Sequence, residues 1–129
     1  MGKALNAPAY EYRLTLEPHF NDERQLPTTL VVLETTKQFA SFRYELSVRE
    51  ERKGKELRYA ILGLKTPQLS LPSSGPAAYI REYHDLKGKY DVTIENLDGT
   101  VNTFAVHISP RSIKLLKSPK DPFIEIVVA

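Results

Sequence analysis

Two alternating segments around a short polar turn constrain the fold of this chain more than any other feature. Every second residue is apolar on both sides of the turn: Tyr90, Val92 and Ile94 before it, and Phe104, Val106 and Ile108 after it. Period two is the pattern of a β-strand with one buried face, so we predict a hairpin. A two-residue turn at Asp98-Gly99 would send the second apolar set to the wrong face. The three-residue loop 97–99 instead pairs Val92 with Phe104 and Tyr90 with Val106. It also places Gly99 in the left-handed conformation.

The beginning of this hairpin carries a short motif, Leu86-x-Gly88-x-Tyr90. The motif resembles the tyrosine corner of immunoglobulin-like and fibronectin type III-like sandwiches, in which a Tyr near the start of strand F sends its hydroxyl back to an upstream backbone group. The resemblance covers about twenty residues, and the chain departs from the antibody-type pattern because it has no cysteine and no tryptophan. It implies an immunoglobulin-like fold and, by association with that fold alone, a binding module.

Apolar alternation and turn signals place further strands along the chain. We predict them at residues 10–17, 28–36, 39–50, 57–61, 77–83, 112–117 and 123–128. Residues 39–50 also fit a helical stripe, and the helix stays open as the alternative there. The continuous apolar run 30–33 predicts a central strand, and Pro18 is expected to end the first strand. The predicted fold is an all-β, immunoglobulin-like antiparallel β-sandwich of about eight or nine short strands. We expect a single domain at 9–129 after a flexible leader at 1–8.

A charged tip at residues 51–56 predicts a second hairpin. A two-residue turn at Lys53-Gly54 pairs Val48 with Tyr59 and Leu46 with Ile61, which keeps the apolar faces together. The lysines and glutamates of the tip are typical of a solvated hairpin end.

Two long connections are the candidate binding loops. Residues 18–27 are polar but include Phe20 and Leu26, and residues 65–76 hold three prolines and three serines together with Leu69 and Leu71. The second connection is expected to cross from one sheet to the other, because its prolines exclude a central strand. In either loop the apolar residues pack against the domain or contact a partner.

Charge and composition argue against several classes of protein. The chain has 18 basic and 16 acidic residues, a net charge of +2 and no cysteine. This balance gives no argument for binding to nucleic acid or to a membrane surface. The lack of cysteine excludes disulfides and thiolate catalysis. No signal-peptide core and no apolar run of membrane-spanning length occurs, so we expect a soluble protein and slightly favour the cytoplasm.

The polar residues of the sequence form no local catalytic or metal-binding pattern. The histidines His19, His84 and His107 are too widely spaced to form a local metal-ligand cluster, and neither a glycine-rich phosphate loop nor a catalytic serine motif occurs. The sequence predicts no catalytic residue, no metal and no cofactor, and it leans against an enzyme. Tyr79 and Tyr83 lie outside the apolar registers and remain the candidates for a sugar-stacking surface.

The end of the chain combines a basic stretch with a strand that is apolar on both faces. The basic residues are Arg111, Lys114, Lys117 and Lys120, and the strand is 123–128. The lysines either meet an acidic partner or discourage aggregation of an edge strand. The last strand needs a cover on each face, which is either the 65–76 crossover or a second molecule.

These patterns together favour a non-catalytic module that binds a protein partner. We expect a monomer or a weak homodimer that contacts neither nucleic acid nor membrane. The candidate interaction surface consists of loop and edge residues: Phe20, Leu26, Leu69, Leu71, Arg111, Lys114 and Lys117. The alternative is a small β-protein that binds a carbohydrate or another small molecule, or catalyses a reaction, at a site assembled from residues distant in sequence.

The tyrosine-corner resemblance can be tested by one substitution. Tyr90→Phe keeps the aromatic ring but removes the hydroxyl, so in a tyrosine corner we expect the free energy of unfolding to fall by about 1 kcal/mol. Denaturant unfolding of the two proteins side by side measures this difference. A midpoint that does not change would place the hydroxyl in water and make the resemblance accidental.

Overall fold

The computed structural model describes residues 10–40, 44–66 and 75–129. These residues form nine β-strands: β1 (Tyr12–Asn21), β2 (Leu26–Phe39), β3 (Glu45–Lys53), β4 (Glu56–Lys65), β5 (Gly75–Tyr83), β6 (Gly88–Glu95), β7 (Val101–Ile108), β8 (Ile113–Lys117) and β9 (Ile124–Val128). The prediction of an all-β chain with eight or nine strands is confirmed. Within the described ranges there is no helix, and so none that is long and apolar enough to cross a membrane.

All nine strands belong to one mixed sheet in the order β8-β7-β6-β4-β3-β5-β2-β1-β9. The sheet curls into a nearly closed cylinder, and its two edge strands meet where the Ile113 amide donates to the Ala129 carbonyl at 2.7 Å. The structure does not show a sandwich of two antiparallel sheets. The purely antiparallel arrangement is wrong, because β1/β9, β3/β5 and β4/β6 are parallel pairs. Each of these pairs joins strands that do not follow one another in the chain, and local sequence patterns carry no signal for such pairs.

The β6–β7 hairpin has the predicted register. Tyr90 lies opposite Val106, and Val92 lies opposite Phe104. The Asn96 amide donates to the Thr100 carbonyl at 2.8 Å, which leaves residues 97–99 as the loop. Gly99 has a φ of 89°, so the predicted positive-φ glycine is confirmed. Tyr90 is buried and its ring lies 4.5 Å from Lys55 Nζ, while the tyrosine-corner resemblance stays a prediction.

The β3–β4 hairpin was predicted with the wrong register. Lys53 pairs with Glu56, so the two-residue loop is Gly54-Lys55, and Val48 lies opposite Ile61 instead of Tyr59. Gly54 has a φ of 58°, which suits the first central position of a tight hairpin turn. Moving the loop by one residue shifts the register by two, so the apolar residues keep their face, and alternation alone could not tell the two registers apart.

The first hairpin is longer than predicted, because Pro18 does not end β1. Pro18 lies opposite Thr29, and the pairing of β1 with β2 continues to Asn21 and Leu26. The pairing of β1 with β9 ends at Leu16, so Pro18 lies on an edge segment, where the missing amide hydrogen costs no sheet hydrogen bond. The predicted 18–27 connection is therefore mostly strand, with a turn at residues 22–25.

The inner face of the curled sheet forms one hydrophobic core to which every strand contributes. Tyr59 and Phe104 are the largest fully buried side chains. The apolar run of β2 divides as a half-buried strand does: Val31 and Leu33 are buried, whereas Leu30 and Val32 are half-buried. As predicted, β2 is central in the sheet, between β1 and β5, and β8 is an edge strand.

Several predictions fall on residues that the structure does not describe. The leader at 1–8 and the residues Leu69 and Leu71 lie outside the described ranges, as does most of the 65–76 crossover. In the region 39–50 the choice was between strand and helix. Glu45–Lys53 is a strand, and residues 41–43 are not described.

The C-terminal strand can be tested by two truncations within it. Ile124 is fully buried on the inner face, whereas Val127 is partly exposed on the outer face. We expect Ile124→Ala to lower the free energy of unfolding by about 2–5 kcal/mol. The matched control Val127→Ala should lower it by about 0.5 kcal/mol or less. Urea unfolding of both variants gives the comparison, and a loss for Ile124→Ala as small as that for Val127→Ala would mean that β9 is a frayed tail and does not belong to the core.

Candidate functional site

The two edges of the sheet face each other along a seam, which we define as the interval between β8 and β9. At one end the seam is closed by a single hydrogen bond, in which Ile113 N–H donates to the Ala129 carbonyl at 2.7 Å. Ala129 is in turn held to β1, because its N–H donates to the Leu16 carbonyl at 3.2 Å. No other backbone hydrogen bond joins β8 to β9 within the part of the chain that the structure describes. The remaining backbone groups on both edges therefore have no strand partner there.

Leu115 shows where the seam is open. It lies opposite Val106 in the β7–β8 pairing, so both side chains point to the inner face of the sheet. Val106 is 0% exposed, whereas Leu115 is 38% exposed. Ile113, on the same face and strand, is buried beside the closed end. The core is thus covered at Ile113 and uncovered at Leu115.

On the β9 side of the seam burial runs the other way. Ile124, the β9 residue farthest from Ala129, is fully buried, whereas Ile126 and Val128, which are on the same face and nearer the closed end, are only partly buried against the core. On the outer face Val127 is partly exposed. Glu125, on the same face, forms an ion pair with Arg13, in which Arg13 Nε lies 2.9 Å from Glu125 Oε1. The Asn102 side chain fixes the connection between the two strands, because its Oδ1 accepts the Phe123 amide at 2.8 Å.

The β8 side of the seam is basic. Lys114 and Lys117 are exposed on β8, and Arg111 and Lys120 are exposed just before and after it. None of these four cations belongs to an ion pair among residues 10–40, 44–66 and 75–129. The β7–β8 register shifts between Lys117 and Leu115, which leaves Leu116 as a bulge residue with an exposed side chain. A bulge and lysines are common on exposed sheet edges, and the two facing edges make this seam a candidate interface.

The seven residues predicted to form the interaction surface do not lie together. Five of them lie at two separate places in the fold, and the other two are outside the described residues. Arg111, Lys114 and Lys117 lie along one side of the seam. Phe20 and Leu26 lie on the β1–β2 hairpin, where Phe20 is exposed and Leu26 is half-buried. Leu69 and Leu71 are not described. The signal that found the basic residues was their spacing on a predicted edge strand, and nothing in the sequence indicated that β9 would lie opposite them.

A tyrosine network that the sequence did not indicate lies on the other side of the sheet. Strands β3 and β5 pair only at Glu45 and Ala78, and side chains bridge the interval beyond that point. Glu50 accepts hydrogen bonds from the Tyr79 hydroxyl at 2.6 Å and from Arg81 Nε at 2.9 Å. Burial acts to raise the pKa of Glu50, but these hydrogen bonds outweigh it and lower the pKa.

Behind Glu50 two tyrosine hydroxyls meet in the core. The hydroxyls of Tyr59 and Tyr83 are 2.7 Å apart, and the Tyr83 ring lies 4.6 Å from the guanidinium carbon of Arg81. Burial raises the pKa of Tyr59, and it raises the pKa of Tyr83 to about 12. Tyr83 is buried and the Tyr79 hydroxyl is bound to Glu50, so these two residues do not form the exposed platform considered for sugar stacking. The network stabilises the sheet where backbone pairing between β3 and β5 ends.

The three histidines are all exposed and lie on different strands or loops. His84 and Asp85 line a cavity of about 240 Å³ together with Thr28 and Lys87, which is below the usual range of about 300–1,000 Å³ for ligand pockets. Hydrogen bonds from Arg52 at 2.9 and 3.0 Å hold the Asp85 carboxylate and lower its pKa. No group of three metal-ligating side chains occurs in the described ranges.

Comparisons with protein-family models, with curated proteins and with solved structures find no match to this chain. The functional argument therefore takes nothing from a similar protein and depends mainly on the geometry of this structure.

The tyrosine network predicts how stability changes at alkaline pH. The ordinary pKa of a tyrosine is 10.0, and that of Tyr83 in the folded protein is about 12. Between these values the unfolded chain has lost the proton that the folded chain keeps, so the free energy of unfolding falls as pH rises through this window. We expect a shallower fall in Tyr83→Phe, which lacks the titrating hydroxyl. Denaturant unfolding at a series of pH values measures both slopes, and equal slopes would show that Tyr83 ionises in the folded protein as it does in the unfolded chain.

Proposed function

We propose that this protein is a non-catalytic binding module that accepts an extended, acidic segment of a protein partner as an added strand in the seam. The observation that supports this most strongly is Leu115, an inner-face side chain that is 38% exposed beside a free strand edge. The immunoglobulin-like resemblance of the sequence favours a binding module as well, by association only. Three physical steps support the proposal.

The first step is backbone pairing. Ile113 donates its amide across the seam, and successive residues of a strand direct their amides to opposite sides. The amide of Leu115 therefore points into the seam as that of Ile113 does, but no described residue accepts it. An added strand supplies the missing acceptors and donors, which is the general mechanism of recognition by strand addition.

The second step is completion of the core. Leu115 on β8 and Ile126 on β9 both point to the inner face and are only partly covered. An incoming strand places every second side chain on that face. An apolar side chain between Leu115 and Ile126 would cover both of them, and burial of apolar area is the main source of affinity in such a complex.

The third step is charge. The other face of the incoming strand would lie beside Lys114 and Lys117, which have no ion-pair partner within the described ranges. Acidic residues at these alternate positions complement the lysines and increase the association rate. The favoured partner segment therefore alternates apolar and acidic residues, and a second copy of this chain is a competing occupant that the experiment has to distinguish.

The test uses a synthetic peptide that alternates isoleucine and glutamate and spans the length of the five-residue strands. We expect it to bind the full chain by fluorescence anisotropy, and to bind less tightly as salt is added. The control peptide has the same sequence but N-methylated backbone amides on alternate residues, so it keeps its side chains and loses the amide donors along one edge. Equal binding of the two peptides would contradict strand addition.

Two pairs of matched variants locate the peptide. Lys114→Glu with Lys117→Glu should abolish the salt-dependent part of binding, whereas Arg49→Glu with Lys53→Glu, the same charge change on β3, should not. Leu115→Ser should weaken binding, and Leu62→Ser, which changes an exposed leucine of β4, should not. Light scattering of the chain alone tests the competing occupant: a stable dimer that dissociates in Lys114→Glu with Lys117→Glu would assign the seam to a second copy.

A further inference from the structure

A pocket of about 550 Å³ lies at the end of the cylinder where β1 and β3 begin and where β2 and β4 end. Its walls come from five segments that are far apart in sequence. They are Tyr10, Glu11 and Tyr12 before and in β1; Thr35, Thr36, Lys37 and Phe39 in β2; Leu46 in β3; Gly63 and Leu64 in β4; and Leu97 in the β6–β7 loop. The volume is within the range of about 300–1,000 Å³ that small-molecule sites usually have.

Two irregularities of the sheet open this end of the cylinder. The β2–β5 register shifts between Glu34 and Gln38, and the β3–β4 register shifts between Ser47 and Val48. The second shift leaves Leu62 unpaired, and Gly63 beside it has a φ of 133°, a conformation that other residues rarely adopt. Bulges of this kind bend strands and often lie next to binding sites.

The second bulge turns an apolar side chain into the pocket. After Leu62 the pairing resumes with Gly63 opposite Ser47, and the next pair is Leu64 opposite Leu46, so both leucines lie on the inner face. Leu46 is 4% exposed but Leu64 is 50% exposed. The side chain of Leu64 therefore points to the inner face of the sheet but is not covered by the hydrophobic core.

The two threonine hydroxyls in the wall already have partners in the protein. Thr35 Oγ1 accepts the Ala77 amide at 2.9 Å and donates to the Lys37 carbonyl at 2.9 Å. Thr36 Oγ1 donates to the Tyr10 carbonyl at 2.6 Å. A ligand thus meets mainly the apolar surfaces of the wall, which are the rings of Tyr12 and Phe39 and the leucine side chains.

The two charges in the wall orient a ligand. Lys37 Nζ lies 5.3 Å from the centroid of the Phe39 ring and has no carboxylate partner in the described residues. Glu11 lies in the part of the wall that includes Tyr12. The pKa of Tyr12 is raised by burial and by the negative charge of the Glu11 carboxylate. An acidic group is favoured beside Lys37 and disfavoured beside Glu11.

We propose that this pocket binds a small amphipathic monoanion, with its apolar body against Tyr12, Phe39 and Leu64 and its acidic group at Lys37. The seam and this pocket are separate features of the protein, so neither proposal depends on the other. The pocket gives the protein a second binding activity, for a small molecule instead of a peptide strand.

The test compares three probes by isothermal titration calorimetry: decanoate, its neutral counterpart decanol, and naphthoate. We expect decanoate or naphthoate to bind more tightly than decanol. The acid that binds more tightly shows whether the pocket prefers a ligand with an aliphatic or with an aromatic apolar part. Lys37→Gln should weaken binding of that acid about fivefold and leave decanol unchanged. Equal binding of decanol and decanoate, or no binding of any of the three probes, would overturn the proposal.

A matched pair of leucines locates the ligand. Leu64→Gln should weaken binding of every probe because it makes the wall polar, whereas Leu62→Gln, on the same strand and equally exposed but outside the wall, should not. Both leucines are half-exposed, so neither variant removes a core side chain. Equal effects of the two substitutions would place the ligand elsewhere on the protein and contradict the site.

Discussion

A nine-stranded sheet with one apolar face must cover that face, and here the sheet does so by curling until its own edges meet. Since every strand contributes to the same core, the position of each strand depends on how far the sheet closes. The hydrogen bond from Ile113 to Ala129 marks the place where closure is achieved. Elsewhere along the two edges closure is incomplete, and the exposed inner-face residue Leu115 is the consequence.

Both proposed binding sites are places where this covering fails. At the seam no described backbone hydrogen bond joins β8 to β9 beyond the one from Ile113, so backbone groups of the edge lack a strand partner where the side chain of Leu115 is partly exposed. At the end pocket two bulges interrupt the sheet, and Leu64 lies on the inner face but stays half-exposed. On the opposite side, where β3 and β5 separate, Glu50, Arg81 and the tyrosines fill the interval with hydrogen bonds. Between β3 and β5 the protein's own side chains thus fill the interval in the sheet. At the two proposed sites no side chains of the described residues do so, and we propose that a ligand does.

The sequence predicted those parts of the fold that depend on neighbouring residues. The register of β6 and β7, the conformation of Gly99 and the two C-terminal strands follow from alternation and turn chemistry alone. The β3–β4 register was missed because Lys53-Gly54 and Gly54-Lys55 turns keep the same residues on the same face. The prediction that Pro18 ends β1 was wrong. A proline fits within β1 only where β9 no longer pairs with it, and β9 lies more than a hundred residues later in the chain.

The candidate sites were predictable only in part for the same reason. The spacing of Lys114 and Lys117 indicated an exposed edge strand, but the edge facing them comes from a parallel partner of β1. Tyr79 and Tyr83 were left as candidates for a sugar-stacking surface, because their packing becomes visible only once Tyr59 and Glu50 are seen to hydrogen-bond to them. No local pattern marks the end pocket, whose wall comes from five separated segments.

Hydrogen–deuterium exchange at the amide of Leu115 tests the central claim, that the seam is an unfilled place for a strand. In the free protein this amide should exchange much faster than the amide of Val92 in the middle of the sheet, because no described residue accepts its hydrogen. An extended acidic peptide should slow it. Protection of the Leu115 amide in the free protein to the same degree as that of Val92 would mean that the edge is already paired, and it would contradict the account.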